Sequence, residues 1–146
     1  MKKSRLPFLG LVLCAVVTIV GFASHLTHAQ HQEVKASRLR AADADILFAK
    51  VQIDKRFDSI EQVAPKIPRH TEELLALRNR YRIMGDSVRN ISFFTQELQN
   101  VRSSINADPS LPELARSVAN DELSAIQDSV NSQTQSLQFK EQVEKE

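Results

Sequence analysis

The stretch from Thr71 to Ile105, TEELLALRNRYRIMGDSVRNISFFTQELQNVRSSI, decides the fold. Leu74, Leu77, Tyr81, Met84, Val88, Ile91, Leu98, Val101 and Ile105 recur in steps of three and four, with Phe94 near the missing slot. Residues so spaced share one face of an α-helix. A seam sustained over about five heptads predicts one long amphipathic helix packed in a bundle or coiled coil. Thr71 stands where an N-cap is expected, and Asn106-Ala107-Asp108-Pro109-Ser110 supplies turn formers that end the helix.

Two further periodic segments flank it. From about Gln32 to Val63, Ala42, Ile46, Ala49, Ile53, Phe57 and Ile60 fall on one helical face. Asp45, Lys50, Asp54, Lys55, Asp58 and Glu61 lie largely off that stripe. Pro65 and Pro68 then end or kink the helix, since proline lacks the amide donor and clashes with the preceding turn. The third segment runs from about Pro112 to Gln142. Ser110-Leu111-Pro112-Glu113 has the form of a capping box with proline in the first turn. Leu114, Val118, Leu123, Ile126, Val130 and Leu137 form its stripe, which slips between Val118 and Leu123. The charged residues 143–146 are expected to fray. Short connections between long amphipathic helices favour antiparallel neighbours. The expected fold is all-α: an N-terminal membrane or signal helix, then an elongated antiparallel three-helix bundle over residues 30–142.

The N-terminus indicates location. Lys2, Lys3 and Arg5 precede a mostly apolar run from Leu6 to Ser24. A basic head before such a run is an export or membrane signal. The run is long enough to span a bilayer, which needs about 17–25 residues, and exceeds the usual h-region of about 7–15. Thr27-His28-Ala29 nevertheless places small residues at the −3 and −1 positions of a cut before Gln30. Residues 1–29 are therefore a signal anchor or a cleaved signal peptide, and residues 30–146 face the periplasm or exterior of a bacterial envelope. Cys14, the sole cysteine, sits early in the run behind the large Leu13, a poor match to a lipobox.

Composition removes several functional classes. Beyond residue 29 there is no cysteine, so disulfides and thiolate metal sites are unavailable. Gly85 is the single glycine there, which excludes a glycine-rich phosphate loop. Removing Lys2, Lys3 and Arg5 takes the net charge from +1 to −2, no electrostatic footprint for nucleic acid. His25, His28 and His31 are the one cluster that suggests a metal, but positions i and i+6 diverge on a helix and no four-ligand set is at hand. No metal or cofactor is expected. Asp54, Asp58 and Glu61 share a helix face, interleaved with Lys50, Lys55 and Arg56, and read as a salt-bridged surface rather than acid–base machinery. Arg78, Arg82 and Arg89 fall near one face of the second segment. Such a face can take an anionic partner, or pair with the third segment, where eight acidic residues oppose three basic ones from Asp108 to Glu146.

One stretch is more specific. Val51-Gln52-Ile53-Asp54-Lys55-Arg56-Phe57-Asp58-Ser59-Ile60-Glu61-Gln62-Val63 resembles the signature V-Q-L-x-R-R-x-D-L-I-P-N-L-V of the LemA family. Val51, Gln52, Arg56, Asp58 and Ile60 match it, and Ile53, Lys55 and Val63 are close substitutions. Asn106-Ala107-Asp108-Pro109-Ser110-Leu111 is similar to the family's turn before its last helix, with Glu122-Leu123 following. The family's tryptophan, its Pro-Asn pair and its Tyr-Asn-rich tail are absent. The resemblance implies a membrane-anchored helical envelope protein and names no catalytic residue.

The expected function is a non-enzymatic envelope scaffold or interaction module; the alternative is a secreted helical subunit of an export or surface assembly. The expected partner is another envelope protein. The seam of the second segment is needed inside one chain, so the isolated domain is expected to be monomeric. Leu75, Ile83 and Phe93 remain off that seam; Phe93, beside Phe94, either rounds off the core or offers a contact point, and any partner is expected to dock near Ile83 to Phe93.

Overall fold

The computed structural model describes the backbone of residues 6–146 and the side chains of residues 27–146, Val63 excepted. Among the described residues all regular structure is helical. The helices are α1 (Leu6–Val63), α2 (Thr71–Ile83), α3 (Val88–Ala107) and α4 (Glu113–Lys145). Two 3₁₀ turns, Ala64–Lys66 and Pro68–His70, join α1 to α2. The chain divides between Arg38 and Leu39, and the bundle lies in the second unit. No helix among residues described with their side chains is long and apolar enough to cross a membrane. The membrane or signal segment expected over residues 6–24 lies outside them.

The bundle has four helices where the seam predicted three. Cross-helix pairs give the directions. Asp54 faces Arg82 at 3.7 Å and Asp58 faces Arg78, so α1 and α2 are antiparallel. Arg80 pairs with Glu97 at 3.3 Å, and Ser104 donates to Glu73 at 3.5 Å, so α2 and α3 are antiparallel. Gln99 donates to Gln127 at 3.1 Å, and Asn120 to Asn106 at 2.6 Å, linking α3 to α4. Lys140 with Asp43 at 2.7 Å and Arg56 with Glu122 at 3.4 Å close the ring from α4 to α1. The topology is up-down-up-down.

The split comes at Met84–Ser87. Met84 turns extended (φ −72°, ψ 143°), as does Ser87 (φ −138°, ψ 147°). The Ser87 hydroxyl accepts the Asn90 amide at 3.1 Å, a true N-cap for α3. The Asn90 side chain donates back to the Gly85 carbonyl at 3.1 Å. Gly85 also costs a continuous helix about 1 kcal/mol relative to alanine. The hydrophobic repeat passes unbroken through this turn because both halves present their apolar face to the same core. Leu74, Leu77 and Tyr81 are buried on one side, Ile91, Phe94, Leu98 and Ile105 on the other.

The α1 stripe is as expected: Ala42, Ile46, Ala49, Ile53, Phe57 and Ile60 are all buried. Pro65 and Pro68 end the helix and do not merely kink it. On α4 the stripe begins differently. Leu114 is 74% exposed, while Ala115 and Ala119 are buried, leading into Leu123, Ile126 and Val130. That register of fours and threes needs no slip at Val118. Leu111, just ahead of the helix, joins the core, and Leu114 does not.

Three local expectations are corrected. His70 occupies the N-cap of α2, and the Thr71 hydroxyl instead donates to the Ala64 carbonyl at 3.1 Å, tying α2 to the preceding turn. Ser110 forms no capping box; its hydroxyl donates to Asp108 at 2.6 Å and Pro112 stands at the N-cap. The stretch 143–146 is helical to Lys145, because Val143 is fully buried and holds the last turn. α4, at 33 residues, outruns the 20 of α3. Its second half packs beside α1, past the level of the α2–α3 turn.

Candidate functional site

Three polar clusters and a set of exposed apolar residues are the candidates. The first cluster is the arginine face of α2. Arg78 is buried, its two terminal nitrogens donating to Asp58 and Glu61 of α1. Arg82 lies 3.7 Å from Asp54. The Asp54, Asp58, Glu61 stripe is thus a salt-bridged face, as expected, but its cations come from α2. The expectation that Arg78 and its neighbours either meet an anionic partner or pair with the third segment is corrected for Arg78 and Arg82. In a four-helix ring α1 is the neighbour of α2, so they pair there. Arg89 instead stacks over Phe93, 5.7 Å from the ring centre.

The second cluster joins the α1–α2 turns to the α3–α4 turn. His70 is buried, with Nδ1 3.0 Å from Glu73 and Nε2 3.1 Å from Asp108. Carboxylates only accept, so the protonated imidazolium is the form that donates to both. Burial pulls the His70 pKa down, but the hydrogen bonds and charges of Glu73 and Asp108 outweigh it and leave it raised. The side chain and amide of Ser110, with further help from His70 and Arg69, bring the Asp108 carboxyl down to about 2 against some opposing burial. Sequence reading passed over this cluster, since His70 is a lone histidine whose partners come from opposite ends of the second segment.

The third cluster lies at the α2–α3 turn. Buried Tyr81 donates to Gln133 at 2.9 Å, Gln133 donates to Asp86 at 3.3 Å, and Lys50 reaches Asp86 at 2.6 Å. Burial, then the charges of Asp54 and Asp86, push the Tyr81 phenol well above its ordinary value. Tyr81 also packs with Phe57 and Phe94, at ring separations of 6.4 and 5.1 Å. The network fixes the turn against α1 and α4.

Arg78 and Glu61 of the first cluster border a cleft of about 10 Å³, room for about one water. A shallow groove of about 320 Å³ runs between α2 and α3, with Glu73, Arg80, Glu97 and Ser104 along it. Among the described residues no group of three or more metal-ligating side chains converges. His28 and His31 are exposed, and the side chain of His25 lies outside the described residues.

The apolar residues expected near a partner surface are exposed. Ile83 is 81% exposed and Phe93 61% exposed, both near the turn between α2 and α3. Phe93 does not round off the core, a role taken by Phe94 beside it. Leu75 is also exposed. In the LemA-like stretch, Ile53 and Ile60 are core, Gln52 is half-buried, and Val51, Lys55, Arg56 and Asp58 are exposed. Arg56 and Asp58 hold Glu122 and Arg78. The side chain of Val63 lies outside the described residues. An apolar set on α1, Leu47 and Phe48 beside Val51, had not been singled out. No protein-family model, curated protein or solved structure matches the chain.

Proposed function

We propose that this chain is a non-enzymatic helical module of the bacterial cell envelope that offers a surface to another protein. The observation that carries the reading is the exposure of Ile83 and Phe93 beside the α2–α3 turn, while the polar groups around them are engaged within the bundle. The basic head and apolar run at residues 1–24 support a membrane anchor with residues 30–146 extracytoplasmic. The LemA-like stretch on α1 supports the same setting. Among its matched residues Ile60 is core, and Arg56 and Asp58 pair between helices, which suits a scaffold.

The test is crosslinking in intact envelopes followed by capture of the full chain. Wild type should yield a discrete heterologous adduct that Ile83→Ser with Phe93→Ser removes. Both side chains are surface residues, so the pair of changes should shift stability by no more than about 1 kcal/mol. An adduct indifferent to both changes refutes this surface. Thr27-His28-Ala29 favours a second reading, a secreted subunit beginning at Gln30. An anchored protein stays in carbonate-washed membranes with its N-terminus intact; a subunit starts at Gln30 and leaves them.

A further inference from the structure

α1 carries a second seam on the side away from its core. Ala41, Ala44, Phe48 and Val51 are spaced three, four and three apart, and all four are exposed. Leu47 widens the strip; it is 63% exposed, Phe48 66% and Val51 43%. At about 100° per residue these positions lie opposite Ala42, Ile46, Ala49 and Ile53, which face the bundle. A helix with two back-to-back heptad seams has one more partner than the bundle supplies.

The charges beside the seam say what that partner is. With Ala41 and Phe48 at the first core position of each heptad, Arg40 and Asp45 flank it on opposite sides. In a parallel pair such flanking residues meet five apart along the sequence, so Arg40 of each copy faces Asp45 of the other, twice by symmetry. In an antiparallel pair with Phe48 opposite Ala44, the two Asp45 carboxylates face each other and repel. Among the described residues neither Arg40 nor Asp45 makes an ion pair within the chain. Ala41 and Ala44 allow close approach, and Lys55 at the next core position ends the apolar strip with like charges. α1 is already held helical by its core, so association orders no new backbone.

We propose that the outer seam of α1 pairs with the same seam of a second copy in a parallel, two-fold dimer. The expectation of a monomer considered the seam of the second segment, which is indeed consumed within the bundle. This dimer uses a different face and leaves Ile83 and Phe93 open, so it stands or falls separately from the heterologous partner proposed above.

The experiment uses the full-length chain in mild detergent with Cys14→Ser. Sedimentation should show a concentration-dependent dimer, and Ala44→Cys should oxidise to a disulfide-linked dimer. Phe48→Lys should weaken dimerisation at least about tenfold, as loss of a buried aromatic anchor does. At concentrations where both chains are monomeric its melting curve should match wild type, because Phe48 lies outside the core. Arg40→Asp should weaken the dimer and Arg40→Asp with Asp45→Arg should restore it. Ile83→Lys should leave it unaltered. A chain that stays monomeric overturns the proposal. So does a dimer indifferent to Phe48→Lys, or a charge exchange that fails to restore association.

Discussion

Gln133 has no exposed surface, yet it is polar. Its Oε1 accepts the Tyr81 hydroxyl at 2.9 Å, and its Nε2 donates to Asp86 at 3.3 Å. Gln133→Leu keeps the volume and removes both bonds. Asp86 is not orphaned, since Lys50 remains 2.6 Å away and its side chain is 42% exposed. The Tyr81 hydroxyl is orphaned in the core, which costs about 1–3 kcal/mol. Tyr81→Phe alone leaves the Gln133 carbonyl oxygen without its donor, at a cost of about 1–2 kcal/mol. The double change removes both partners and should be close to neutral, within about 1 kcal/mol of wild type. Urea unfolding of the full chain, followed by helix signal, measures all three. The expected coupling is about 1–3 kcal/mol, in the sense that each change relieves the other. A domain this size has about 5–15 kcal/mol in total, so either single change should be plain in the midpoint. Single effects that add to the double within about 0.5 kcal/mol would refute the argument that the pair acts as a unit.

Three further outcomes come from other parts of the bundle. The raised His70 pKa means that the imidazolium's stabilisation is complete below the unfolded value of about 6.5 and is lost as pH rises through the folded value. The melting temperature should fall as pH rises above about 6.5, and His70→Gln should flatten that fall; an unchanged slope sinks the assignment. On the acid side, Asp108 should lose its contribution as pH drops from its ordinary 3.8 toward about 2, and Asp108→Asn should remove that component. Gly85→Ala should leave the α2–α3 turn intact and gain about 0.4–1 kcal/mol by restricting the unfolded chain. Gly85 has no positive φ, and an added Cβ would meet only the Asn90 side-chain nitrogen at 3.5 Å. A collapse in the melting temperature would show that the backbone there needs glycine.

Much of the bundle was legible because its signals are local. Six residues from Ala42 to Ile60 mark the buried face of α1, and Pro65, Pro68 and Pro109 mark two turns. The turn at Met84–Ser87 was hidden by the seam itself. Tyr81, Met84, Val88 and Ile91 keep perfect helical spacing across it, and only Gly85-Asp86-Ser87 disagreed. Periodicity reports which residues face the core, not whether the chain reverses between them. The Arg78 and Arg82 partners were misplaced for a related reason: three helices set the acidic last segment beside the second, whereas in the four-helix ring α4 is no neighbour of α2 and α1 supplies Asp54, Asp58 and Glu61. The His70 cluster could not be read, because Asp108 lies 38 residues from His70 in sequence and meets it only across the end of the bundle. Leu47, Phe48 and Val51 were visible as apolar residues off the main stripe, but a strip beside a stronger one is easily absorbed into it.

The unbroken repeat through Met84–Ser87 has a consequence for how this chain behaves at high concentration. Straightening the turn would give one rod from Thr71 to Ala107, with the residues now buried still in one seam. α3 and α4 would then complete the core of another molecule, and that molecule's would complete this one, with the same contacts in both. The core therefore does not distinguish the folded monomer from the exchanged pair. The distinction rests on the Ser87 cap, the Asn90 side chain on the Gly85 carbonyl, and Asp86 held between Lys50 and Gln133. A few polar groups at one bend thus decide between a molecule that closes on itself and one that embraces its neighbour.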